Sequence, residues 1–201
     1  MTKVFKWMVL PLALLLIAGC SSAPDTEEAA ATQAMAAAES VKAAVYAPDA
    51  WQMAEDTLQA ARAEKAAQDG RFALFRSYGD AKAKFESVAG LAAQAKSEAE
   101  SKREIVRQET ETLLTQARAV LDTVTTKLGK MRGGKDTKAE IEMMKQDAAA
   151  FQQQLDDAQG DLDRGDYESA KTKVQTIMSK IAEMKKSIRA SVTRDVRYQN
   201  A

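Results

Sequence analysis

Apolar residues along this chain recur in steps of three and four, and that spacing restricts its fold more than any other feature. From residue 78 the series is Tyr78, Ala81, Phe85, Val88, Ala92, Ala95 and Ala99, with the two steps in strict alternation. A heptad of this kind puts every member on one side of a helix and predicts a seam against a neighbouring helix. Ile141, Met144, Ala148, Phe151, Leu155, Ala158 and Leu162 repeat the pattern. Tyr167, Ala170, Val174, Ile177, Ile181, Met184 and Ile188 then take it up again. Alanine occupies many seam positions and aromatics are only 5% of the 201 residues, so the cores are thin seams between helices.

Punctuation residues divide the pattern into segments. Alanine dominates residues 29–45, which read as one helix. Pro48 disfavours helix at Ala47 and suits the first turn of a second helix, whose stripe is Trp51, Ala54, Leu58 and Ala61 and whose end is Asp69-Gly70. The third helix thins at "SEAESKREIVRQETE", where Val106 is nearly the only large apolar residue, and resumes through Leu113, Ala117, Val120, Val124 and Leu128. If continuous to Gly129 it has about 50 residues and spans ~75 Å. The glycines of "GKMRGGKD" stop it. Between the last two seams, Gly165 suits the left-handed position that ends a helix and Asp166 suits an N-cap, so those helices form an antiparallel hairpin. "SYGDAKAKFESV" (77–88) aligns with "DYESAKTKVQTI" (166–177), setting Tyr78, Ala81, Lys82, Lys84, Phe85 and Val88 against Tyr167, Ala170, Lys171, Lys173, Val174 and Ile177. Two helical hairpins of related design follow from that alignment.

The N-terminus carries a different signal. Lys3 and Lys6 precede an apolar run from Trp7 to Ala18, too short for a bilayer-spanning helix of ~20 residues and typical of a secretory signal peptide. Its end, Ile17-Ala18-Gly19-Cys20, resembles the lipobox of bacterial lipoproteins, and Cys20 is the chain's one cysteine. The resemblance implies cleavage before Cys20, diacylglycerol on its thiol and an acyl chain on the freed amine. Several acyl chains make an anchor effectively permanent. Ser21 in the next position, by the same resemblance, favours the outer membrane. Loss of residues 1–19 leaves 27 basic and 29 acidic side chains, with an acidic N-terminal part and a basic C-terminal one.

The expected fold class is therefore all-α, with long antiparallel helical hairpins and coiled-coil-like seams after the signal peptide. The expected organisation is a signal peptide at 1–19, a flexible tether at 20–28, a first helical hairpin region with the long helix at 29–130, and a second hairpin at 136–197. "AVYAPDAW" and the Tyr-x-x-Ala-type helix after it resemble a helical-hairpin domain of unknown function in small alanine-rich envelope lipoproteins. That resemblance covers roughly residues 29–97 and implies place and shape, not an activity.

The chemistry that the residue types permit is limited. There is no histidine, which removes the commonest general base and metal ligand, and a single cysteine permits neither an internal disulfide nor a thiolate cluster. No residue is assigned a catalytic or metal-binding role, and no cofactor is expected besides the covalent lipid on Cys20. The acidic run "DDAQGDLDRGD" has Leu162 where a calcium loop starting at Asp157 requires glycine, and reads as solvated acids at a helix end. Lys185, Lys186, Arg189, Arg194 and Arg197 give the chain a basic end, suited to a helix C-terminus or to contact with an anionic surface or partner.

The leading expectation is a non-enzymatic, lipid-anchored scaffold or adaptor at the periplasmic face of the outer membrane. It would hold the membrane through its lipid and a protein partner or a second copy through its helices, with no role for nucleic acid. The alternative is a periplasmic carrier or chaperone-like module that takes apolar or lipid ligands between its helices, to which nine methionines lend adaptability.

Overall fold

The computed structural model describes residues 22–132, 134 and 137–199, with side chains described as far as Arg194 in the last helix. Among these residues there are six α-helices, a short 3-10 turn and no strand: α1 Asp25–Ser40, α2 Ala43–Tyr46, α3 Pro48–Asp69, the 3-10 turn Ala73–Phe75, α4 Gly79–Lys130, α5 Lys138–Asp163 and α6 Tyr167–Gln199. The protein is all-α, and the long third segment is one unbroken helix, α4.

Two compact units meet in sequence between Lys102 and Arg103, within α4. That boundary lies inside the long helix, whereas the expected division of the sequence follows its C-terminal end. A seam between two helices still leaves apolar flanks open, and a third helix closes them. The second hairpin obtains its third helix from the C-terminal half of α4, through Leu114, Ala117, Leu121, Val124 and Leu128, which share one core with Ile141, Met144, Leu155, Val174, Ile177 and Ile181.

In the first unit α1, α3 and the N-terminal part of α4 run up, down and up. Ala31 and Met35 of α1, Ala54, Leu58 and Ala61 of α3, and Ala81, Phe85, Val88 and Ala92 of α4 form its core, with Trp51 half-buried at the edge. Phe85 is the largest fully buried side chain there. The tether is shorter than expected, because α1 starts at Asp25 rather than after Glu28. Asp25, Glu27 and Glu28 stand in its first turn, where negative charge offsets the unsatisfied N–H groups. The expected helix at 29–45 is also interrupted. Ser40 Oγ donates to the Ala37 carbonyl at 2.7 Å, and Lys42 takes a left-handed conformation, φ 60°, before α2 resumes.

In α4 every seam residue expected from Ala81 to Ala99 is fully buried. Further on, Leu114 and Leu121 are buried, whereas Leu113 and Val120 are only half-buried. The buried and half-buried series there is Ala95, Ala99, Arg103, Val106, Thr110, Leu114 and Ala117, with two successive pairs of four-residue steps. A strict heptad drifts ~20° per repeat around a straight helix, and extra four-residue steps return the stripe to the helix's own period of 3.6. The missing apolar residues in this stretch are replaced by charge. Arg107 lies between Glu104 and Glu111 on the same helix, and this pairing holds the Glu104 carboxyl down at about 2. Such i,i+3 and i,i+4 pairs support a helix without tertiary contact.

The internal repeat is present in three dimensions. Ala81, Phe85, Val88, Ala92, Ala95 and Ala99 are buried, and so are Ala170, Val174, Ile177, Ile181, Met184 and Ile188, the residues 89 positions later. The aligned lysines play matching parts too. Lys82 pairs with Glu27 of its unit's first helix at 2.9 Å, as Lys171 pairs with Glu109 at 2.6 Å. Lys84 lies 3.8 Å from Glu64 near the end of the second helix, as Lys173 lies 2.6 Å from Asp161. Each unit is one hairpin with a preceding helix laid along it.

Replacing Phe85 removes the largest fully buried side chain from a core built mostly of alanine. Phe85→Ala is expected to cost about 3–5 kcal/mol, the usual range for emptying a buried aromatic site. Thermal unfolding followed by circular dichroism measures it, and an unchanged midpoint would contradict the packing of the first unit described here.

Candidate functional site

Polar chemistry is concentrated at the two hairpin turns and at the end of α6. The tightest cluster is the α5–α6 turn. Gly165 adopts the left-handed conformation, φ 79°, and the Asp166 N–H donates to the Asp161 carbonyl at 2.9 Å while the Gly165 N–H donates to Leu162 at 3.0 Å. This is the paired hydrogen-bond pattern that ends a helix with glycine. A Cβ at Gly165 would also come within 3.0 Å of the Arg103 guanidinium, which lies over the Tyr167 ring at 5.2 Å.

Asp161 anchors this turn. Its side chain is only 7% exposed, and it accepts from Lys173 and from Ser169 Oγ at 2.8 Å and is paired with Arg164. The Lys173 and Ser169 hydrogen bonds hold its carboxyl below the usual range against the opposing effect of burial. The other acids of that run are engaged locally: Asp156 with Arg118 at 3.1 Å and Asp163 with Gln159 at 2.9 Å. A groove of about 390 Å³ beside the turn is lined by Asp157, Lys173, Thr176, Ile177 and Lys180.

The α3–α4 turn is built differently. The Tyr78 hydroxyl donates to Asp69, and that bond raises the Tyr78 pKa. The Ser77 N–H donates to Gln68 Oε1 at 3.1 Å, and Arg76 donates to the Asp69 and Arg71 carbonyls at 2.9 and 3.0 Å. These bonds fix a loop that presents Phe72, Leu74 and Phe75 to solvent at 70–74% exposure. This loop carries no seam signature in the sequence, because its apolar residues belong to none of the three-and-four-residue stripes. The available signal was "RFALFR" itself, which places two of the chain's five phenylalanines outside any seam.

The expected anionic-surface residues are divided by the structure. Lys186 is paired with Glu183 at 2.7 Å and Arg194 with Glu140 of α5, so both have local work. Lys185 and Arg189 are exposed, one turn apart on α6, and make no ion pair among the described residues. Arg197 has no described side chain, and Cys20 lies outside the described residues. Among the described residues no group of three or more His, Cys, Asp or Glu side chains is placed to hold a metal ion, and no helix is long and apolar enough to cross a membrane.

The ion pairs predict an acid limb of stability. Asp161, Glu27 and Glu64 are all held below their ordinary values, by Lys173, Lys82 and Gln68 respectively. A lowered folded pKa means stability that is present above the ordinary carboxylate range and lost as pH falls through the folded value. The unfolding midpoint should therefore be level near neutrality and drop below about pH 4. Asp161→Asn should cost about 1–2 kcal/mol at neutral pH and flatten that drop, as read by thermal melts across pH. Identical acid limbs for variant and parent would remove Asp161 from this role. No known family model, curated protein or solved structure matches this chain.

Proposed function

We propose that this chain is a lipid-anchored bacterial envelope lipoprotein, a non-enzymatic helical scaffold or adaptor at the periplasmic face of the outer membrane. The observation that carries the reading is the sequence Ile17-Ala18-Gly19-Cys20 at the end of a short apolar run, with the only cysteine at the modified position. The spacing after it is favourable. α1 starts five residues beyond Cys20, so an acylated Cys20 would hold the first unit within ~17 Å of chain reach.

The scaffold part of the reading is supported by how the side chains are used. In both units the aligned lysines and their acids tie helix to helix, and the exposed faces that remain carry Ile105 at 52% and Met143 at 65% exposure. Exposed large apolar side chains on a charged helix surface suit a partner or a second copy.

Two experiments test the two parts. Cells grown with a labelled fatty acid should incorporate the label into the protein, and Cys20→Ala should abolish that incorporation. A parent protein that takes up no label would count against lipid attachment. Photo-crosslinkers placed singly along residues 100–112 and 185–194 should trap one defined protein, or a second copy, from at least one of the two stretches. Traps empty along both would remove the adaptor reading and leave the anchor untouched.

A further inference from the structure

The loop between α3 and α4 is longer than its hairpin needs. In the second unit three residues, Arg164 to Asp166, separate the end of α5 from Tyr167. In the first unit eight residues, Gly70 to Ser77, separate the end of α3 from Tyr78, the aligned tyrosine. The additional length carries Phe72, Leu74 and Phe75 at 70%, 74% and 74% exposure, with the two phenylalanine rings 6.3 Å apart, so the side chains form one patch. Scattered exposed apolar residues need no explanation, but three large ones within four positions do.

We infer that this loop is a membrane-contact tip, in which Phe72, Leu74 and Phe75 enter the interfacial region of a bilayer and the exposed Arg71 faces anionic headgroups. Four observations favour a bilayer over a protein groove. The patch sits on a short loop with its side chains 70–74% exposed rather than on a helix stripe, and bilayers accept such side chains without shape matching. Residues 70–79 contain two arginines and no acid, which complements an anionic surface. Four of the nearby acids are already engaged, Asp25 and Glu28 with Lys65 at 2.6 Å, Glu27 with Lys82 at 2.9 Å and Asp69 with Tyr78, while Asp80 stands exposed in the first turn of α4. Lys65 and Lys82 flank the loop in α3 and α4, so those same pairs put the start of α1 at the loop's end of the first unit. Asp25, five positions after Cys20 in sequence, therefore stands at the end of the unit where the loop projects.

The loop is also held in its exposed form. Arg76 donates to the carbonyls of Asp69 and Arg71, and Ser77 donates to Gln68, so the apolar side chains are presented by a fixed backbone. Pre-organisation of this kind lowers the ordering cost of contact.

This inference extends the proposed membrane anchoring, and its test is arranged to be independent of it. The mature chain (residues 20–201) with Cys20→Ser, which retains both helical units, is mixed with vesicles of phosphatidylethanolamine containing about a quarter phosphatidylglycerol and floated on a gradient. The expected result is partitioning onto the vesicles that falls by at least roughly tenfold in F72S/L74S/F75S and that weakens in R71Q on anionic but not on phosphatidylcholine vesicles. All four side chains lie outside the core, so melting curves of parent and variants should coincide and confirm that folding is intact. Equal flotation of parent and triple variant would overturn the inference, and so would no flotation of the parent at millimolar lipid. Loss in the triple variant of a dimer that never floats would overturn it in favour of self-association. Failure of the lipoprotein reading would register elsewhere, as an unmodified Cys20 thiol in protein isolated from cells.

Discussion

The stripe of small residues along α4 is the constraint on which the rest of this protein depends. Ala81, Ala92, Ala95 and Ala99 are fully shielded from water yet contribute little apolar area each. A helix of that kind cannot be stabilised by one partner, so it is enclosed by two, and Phe85 fills the space that alanines leave. The same logic with larger side chains governs the second unit, where Leu121, Leu128, Ile141, Leu155, Ile177 and Ile181 replace alanine at the centre. Thin cores also explain why so much of the helix-to-helix pairing is done by charge. Lys65, Lys82 and Lys171 each bridge to another helix, and those carboxylates raise the lysine pKa values. That stability is present at neutral pH and declines only in strong base, as pH rises through the raised values.

Helix existence and the buried faces were legible because heptad spacing is a direct imprint of helix geometry. All the residues from Ala81 to Ala99, and the whole α6 stripe from Ala170 to Ile188, are where spacing puts them. Three features were not legible, each for a physical reason. The shift from Leu113 and Val120 to Leu114 and Leu121 arises because α4 keeps its own 3.6-residue period across a polar stretch with Val106 as nearly its only apolar marker. The break at Lys42 is a left-handed backbone at a residue type that no spacing or composition signal marks. The division inside α4 reflects which tertiary partners enclose each half, and spacing along one helix carries no record of its neighbours.

The acidic run at 156–166 shows how a motif-like cluster can be structural. Asp161 is buried and satisfied by Lys173 and Ser169, and the Gly165 turn beside it closes the hairpin. The corresponding turn in the first unit shares the tyrosine and the back-reaching lysine but is lengthened by an exposed apolar patch. Two copies of one hairpin design thus differ most at a turn. That is where loops are free to acquire a role while the packed helices are not.

On the proposed reading the protein would be attached by its first mature residue and would turn its apolar loop toward the membrane, while thin helical seams hold each of its units together. The most direct measurement is the intact mass and fragmentation of the N-terminal peptide of protein isolated from bacterial membranes. A peptide beginning at Cys20 and carrying a thioether-linked diacylglycerol and an amide-linked acyl chain is the predicted result. A peptide that begins elsewhere, or a Cys20 with a free thiol, would contradict the account at its base.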